Sequence, residues 1–183
     1  MNAIARKRIS VYDLVMVALF AALIAVCAWI TIPGAVPFTL QTMGVFLAVG
    51  LLGGKRGTAA VLVYILLGAV GMPVFSGFRG GMGVLLDTTG GYIIGFVAAA
   101  LVYWLLTAKL GESLPVKTIA CVLGLAVCYA FGTAWFLVLY TRTTGPIGVT
   151  TALGWCVIPY IIPDLLKLAL ALLLSGRVRK FLK

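Results

Sequence analysis

An aspartate and a lysine stand three residues apart inside an apolar run, Ile161-Ile-Pro-Asp-Leu-Leu-Lys-Leu-Ala-Leu. On a helix, positions i and i+3 share a face, so Asp164 and Lys167 can pair. A charge held in hydrocarbon costs roughly 3 kcal/mol or more, which makes an ionisable pair there a candidate polar-ligand site. The carboxylate can accept N–H bonds, and the ammonium can donate to a carbonyl or a carboxylate. Pro159 and Pro163 free backbone groups on the same turn. The competing reading is a pair that merely neutralises itself, or a lysine that snorkels. Lys167 lies too far from the basic tail for easy snorkelling.

Three further stretches carry groups of the right type. In Phe75-Ser-Gly-Phe-Arg-Gly-Gly-Met-Gly, Arg79 suits capture of a carboxylate, and Gly80 and Gly81 let backbone come close to a ligand. The competing reading there is a flexible loop whose arginine meets lipid headgroups. In Val36-Pro-Phe-Thr-Leu-Gln-Thr, proline fixes an extended path and Gln41 offers donors and acceptors, as a lid over a pocket would. In Thr88-Thr-Gly-Gly-Tyr, Tyr92 can stack on a ring and bond through its hydroxyl, or its glycines can simply pack helices together.

Other chemistries lack their parts. The chain has no histidine and only four acids, scattered along its length, so no Ser-His-Asp set, no Cys-His pair and no metal site is expected. Cys27, Cys121, Cys128 and Cys156 all lie in apolar runs without a C-x-x-C, and read as small buried side chains. Gly54-Lys55 resembles the end of a phosphate-binding loop, but Val49 and Arg56 stand where glycine and Ser or Thr are needed. The expectation is a protein that is no enzyme, carries no cofactor and cannot drive ATP-powered transport alone.

These groups need elements to position them. The 183 residues are 63% hydrophobic and 10% charged, against about a quarter charged for a soluble domain. With about 20 apolar residues needed per span, the chain predicts an all-α integral membrane protein of six transmembrane helices, near 11–32, 41–54, 57–72, 84–106, 118–140 and 150–175, in a single membrane domain over 1–183. The second and third are short, as tilted or re-entrant helices would be. The first is long for a signal peptide and reads as a retained helix. Of 14 basic residues, 11 fall at the termini and in alternate connections: Arg6, Lys7, Arg8; Lys55, Arg56; Lys109, Lys117; Arg177, Arg179, Lys180, Lys183. Lysine and arginine concentrate in cytoplasmic loops, so both termini are expected inside and Arg79 and Arg142 outside. No basic face is interleaved with aromatics, so the net charge of +10 does not point to nucleic acid. Ala18, Ala21, Ala22 and Ala25 recur at spacings of three and four, a small-residue strip for packing or for docking a partner.

The motifs Pro37-Phe-Thr-Leu-Gln-Thr, Gly71-Met-Pro-Val-Phe, Arg79-Gly-Gly, Thr89-Gly-Gly-Tyr, Gly95-Phe and Pro163-Asp-Leu-Leu-Lys, in this order, resemble the BioY family of biotin transporters, and they cover most of the chain. That family usually reads Gly-Pro before Thr-Gly-Gly-Tyr, where this chain has Asp87-Thr88, an unexpected charge. The resemblance implies a six-helix bundle like that of the S components, the substrate-binding subunits of energy-coupling-factor importers. It implies a biotin pocket near the outer surface of a bacterial inner membrane, under the loop between helices 1 and 2. It also implies a transmembrane coupling subunit and a cytoplasmic ATPase pair as partners beside membrane lipid, with the helix 1 alanines similar to the docking face. Within it, Asp164 could accept from the ureido ring, Lys167 or Arg79 could take the carboxylate, and Trp29, Phe75, Tyr92 and Trp155 could form apolar walls. Asp164, Lys167 and Arg79 sum to +1, which an anionic ligand would cancel. A self-sufficient ion-coupled transporter of biotin or another small anionic vitamin, with Asp164 as proton carrier, is the alternative.

Overall fold

A computed structural model describes residues 10–34 and 36–180. The expected cytoplasmic residues Arg6, Lys7, Arg8 and Lys183 lie outside them. Helix α1 (Val11–Trp29) starts at Ser10, whose side chain accepts the Tyr12 N–H, and carries Asp13 in its first turn, where the helix dipole favours an acid. Past it, β1 (Thr31–Ile32) pairs antiparallel with β2 (Phe38–Thr39), so the Pro33–Pro37 stretch closes a small hairpin.

Helix α2 (Gln41–Ala69) is not one rod. Gly53 has φ 78° and ψ 169°, a conformation open to glycine, and the chain reverses there. The two arms, 41–52 and 54–69, lie side by side: Gln41 Nε2 donates to Tyr64 Oη at 2.5 Å. Along a straight helix those residues would be roughly 34 Å apart. The break falls at Gly53, and Lys55 and Arg56 stand exposed on the first turn of the second arm.

A 3₁₀ turn (Ser76–Phe78) and the single turn α3 (Met82–Leu85) lead to α4 (Gly90–Leu110). The next helix, α5, covers Leu114–Thr143. The C-terminal run divides at Val157 into α6 (Val149–Cys156) and α7 (Ile158–Val178), with Pro159 in the first turn of α7, where it removes no helical hydrogen bond. By length and composition, the described residues hold five helical stretches able to cross a membrane, α2 and the α6–α7 pair each taken as one.

The main core joins α1, α2, α4, α5 and α7 through Ile24, Val49, Val61, Tyr103, Cys121 and Ala171. A smaller cluster of Val36, Tyr92, Phe136, Ala152 and Cys156 lies beneath the β1–β2 hairpin. The outside is apolar too: Leu19, Leu66, Leu105, Ile162, Leu166 and Leu173 are all exposed. Such a surface suits lipid and not water.

The two ends of the bundle differ in charge. At one, Asp13 pairs with Arg56 at 2.9 Å, and Glu112 bridges Lys117 at 3.5 Å and Arg179. Gly53 lies beside the Glu112 carboxylate, so the turn of α2 and the α4–α5 connection share this end. Burial pushes the Glu112 carboxyl up, but Arg179 and Lys117 outweigh it and hold the group below its ordinary value of 4.5. At the other end Arg79 faces Asp87 at 3.8 Å.

The alanine strip of α1 straddles the edge of the core. Ala21 and Ala25 are buried in the core, with Ala28, while Ala18 and Ala22 are exposed. Spacings of three and four keep the alanines within an arc of roughly 100°. The edge of the core runs through that arc, with Ala21 and Ala25 on its inner side and Ala18 and Ala22 on its outer side.

Candidate ligand-binding site

The Pro163-Asp-Leu-Leu-Lys turn of α7 points its two charged side chains inward and its leucines outward. Asp164 and Lys167 are each 5% exposed, and Lys167 Nζ donates to Asp164 Oδ1 at 2.7 Å. The hydroxyl of Tyr129, on α5, donates to Asp164 Oδ2 at 2.6 Å. The Lys167 ammonium sits 3.9 Å from the centre of the Phe38 ring, delivered by the β1–β2 hairpin. A cation over an aromatic face is held by the ring quadrupole. The pair is therefore formally neutral, fixed on three sides, and contributed by α7, α5 and the hairpin.

Beside it is a cavity of about 70 Å³, enough for a few waters, with Asp164 and Lys167 in its wall. Gln41, Phe75, Arg79 and Tyr92 also line it. Gln41 is placed by the start of α2, where Thr39 Oγ1 accepts the Gln41 N–H at 3.2 Å and donates to Gln41 Oε1 at 3.1 Å. Tyr92 is placed by α4, its hydroxyl 2.9 Å from Thr133 Oγ1 on α5. Phe75 packs edge-on to Tyr64 of α2, ring centres 5.6 Å apart. Arg79 is half-exposed, its Nε donating to the Ser76 carbonyl at 3.3 Å. The hairpin closes the top: the Tyr160 hydroxyl of α7 donates to the Val36 carbonyl, and Tyr160 stacks on Phe38 at 6.3 Å.

Gly80 and Gly81 are not in the cavity wall. Gly80 is pressed on the Met72 carbonyl, and the Gly81 N–H donates to the Gly68 carbonyl at 2.7 Å, so both shape the loop that carries Arg79. Trp29 and Trp155 also stand apart from it. Trp29 stacks on Phe78 at 5.1 Å and donates to the Pro73 carbonyl, while Trp155 meets Tyr140 edge-on at 6.1 Å. Trp29 thus braces the loop through Pro73 and Phe78, and Trp155 packs α6 on α5. Asp87 changes the charge balance: with it beside Arg79, the four groups sum to zero instead of +1.

Sequence reasoning passed over Tyr129, Tyr160 and Phe38. The hydroxyls of Tyr129 and Tyr160 were a usable signal, because a polar atom in a spanning helix needs a partner inside the protein. Which partner each finds depends on how α5 and α7 are rotated against each other, which no single segment encodes.

Membrane-length helices, an apolar exterior and a cavity with a charged pair in its wall define a multi-pass membrane protein built around a small polar site. The chain belongs to the BioY family, whose sequence model matches residues 3–183. It is 44% identical over 169 residues to the biotin transporter BioY of Thermotoga maritima, an alignment covering 92% of this chain and 96% of that protein. It is 37% identical to the biotin transporter BioY of Rhizobium etli, covering 92% of this chain and 94% of the other. Among solved structures it superimposes on the S-component for biotin from an ECF-type ABC transporter with a TM-score of 0.80 and 28% identity, over 98% of this chain and 95% of that one.

Proposed function

We propose that this chain captures biotin outside a bacterial cell and serves as the substrate-binding subunit of an energy-coupling-factor importer, working with a coupling subunit and an ATPase pair. Family membership supports the ligand, and the Asp164–Lys167–Tyr129 cluster inside the cavity is the observation that carries it. Asp164 uses one lone pair on each oxygen and keeps others free, while Lys167 uses one of three protons on Asp164. Such a neutral pair offers both acceptors and donors, which fits the N–H and C=O groups of a ureido ring. Arg79, half-exposed at the mouth, then takes the carboxylate at the far end of the ligand. Tyr92 and Phe75 supply the apolar wall against the thioether body.

The basic end holds Arg56, Lys117 and Arg179, which supports six passes of a single membrane domain with that end and both termini in the cytoplasm. The cavity lies toward the opposite end, with Arg79.

Titration of biotin into the detergent-purified chain tests the reading. Asp164→Asn and Lys167→Ala are expected to weaken binding at least about ten-fold, since each leaves a buried charge or donor without its partner. Gel filtration should show both variants still folded. Unchanged affinity in both would refute the assignment.

A further inference from the structure

We propose that Asp87 is a built-in counter-ion of Arg79 that an anionic ligand must displace, so that Asp87 sets how fast the site captures carboxylates. The proposal rests on Arg79 receiving the ligand's carboxylate, as argued above.

The Arg79–Asp87 contact is loose on one side and fixed on the other. Arg79 Nη1 and Asp87 Oδ2 are 3.8 Å apart, with side chains 47% and 48% exposed. That distance is beyond a hydrogen bond, so the attraction acts through space and can be exchanged for a bonded carboxylate near 2.8 Å. Asp87 itself is anchored without Arg79. Its Oδ1 accepts the Thr88 N–H at 2.7 Å. Its carbonyl accepts Trp135 Nε1 from α5 at 3.0 Å and the Gly90 N–H at 2.9 Å. The negative charge therefore stays in place when a ligand arrives. The half-exposed arginine, tethered through Nε to the Ser76 carbonyl at 3.3 Å, keeps its terminal nitrogens available to turn toward it.

Position decides the sign of the effect. Arg79 lines the cavity and Asp87 does not, so Asp87 offers nothing to the ligand directly. It cancels the only unpaired positive charge among the described groups of the site, because Lys167 is already matched by Asp164. An approaching carboxylate meets a neutral mouth in place of a cationic one, and charges at the rim act mainly on the association rate.

Asp87→Asn removes the charge while keeping an oxygen for the Thr88 N–H, and it leaves both backbone bonds intact, so the fold is preserved. Stopped-flow binding to the purified chain should show biotin associating about two- to five-fold faster at low salt than with the native chain. The gain should vanish near 1 M salt, where the screening length is about 3 Å. The neutral carboxamide of biotin should associate at the native rate. Arg79→Gln separates the two layers of the argument: it should slow biotin and spare the carboxamide. If it affects both ligands alike, the carboxylate is not held by Arg79 and the underlying reading fails. If Arg79→Gln discriminates but Asp87→Asn leaves biotin unchanged, slows it, or speeds the carboxamide equally, the counter-ion role is overturned.

Discussion

Tyr129 does more at the residue scale than its type suggests. Its hydroxyl is the sole side-chain donor to Asp164 Oδ2 among the described residues, and it spans from α5 to α7. Removing one hydroxyl that donates to a buried carboxylate typically costs about 1–3 kcal/mol. Tyr129→Phe keeps the ring and should therefore weaken biotin binding by about ten-fold in titration calorimetry while the bundle remains folded. Equal affinities for the two proteins would mean that the phenol only packs. Asp164 and Lys167 were legible in the sequence because charges in an apolar run are anomalous. Tyr129 was not, because aromatic residues are ordinary in spanning helices and only the register of α5 on α7 reveals this one. Asp87 was legible as a charge but not as a partner, since seven residues, α3 among them, separate it from Arg79 and only the folded turn brings them together.

At the scale of elements, the sequence marked helices by apolar length and breaks by glycine, proline and charge, yet two features depended on packing. The two short segments after the hairpin are two helices, as their lengths suggested, but only packing shows that the reversal at Gly53 lays them side by side. The loop carrying Arg79 is held by close glycine contacts. Gly68, on the second arm of α2, shows why. A β-carbon there would overlap the Phe75 ring, which lines the cavity and packs on Tyr64. The neighbour is a buried ring, with Tyr64 and Phe75 both fully enclosed, so it has little room to yield. Overpacking of this kind costs about 1–3 kcal/mol. Gly68→Ala should lower the melting temperature of the detergent-solubilised chain by several degrees, and it should also weaken ligand binding by displacing Phe75. A variant as stable as the native chain would show that the loop repacks freely.

For the whole molecule, the question is which surface meets a partner and which meets lipid. Composition alone cannot separate them, because both are apolar. The α1 alanines illustrate the limit: spacing suggested one face, and the structure divides it into a core pair, Ala21 and Ala25, and an outward pair, Ala18 and Ala22. The outward pair lies within an exposed stripe with Val11, Val15 and Val26, where two small side chains make a shallow notch between larger ones. Close approach of a second helix uses such notches, since helices in lipid associate by packing. Under the proposed assembly, Ala18→Trp and Ala22→Trp fill the notch without touching the core. They should leave biotin affinity of the isolated chain unchanged, yet abolish co-purification with the coupling subunit and ATP-dependent uptake. Ala21→Trp and Ala25→Trp should instead disrupt the α1–α2 contact and fail to give folded protein. If the outward pair tolerates tryptophan with full uptake, docking uses another face of the bundle, and the notch is simply lipid-facing surface.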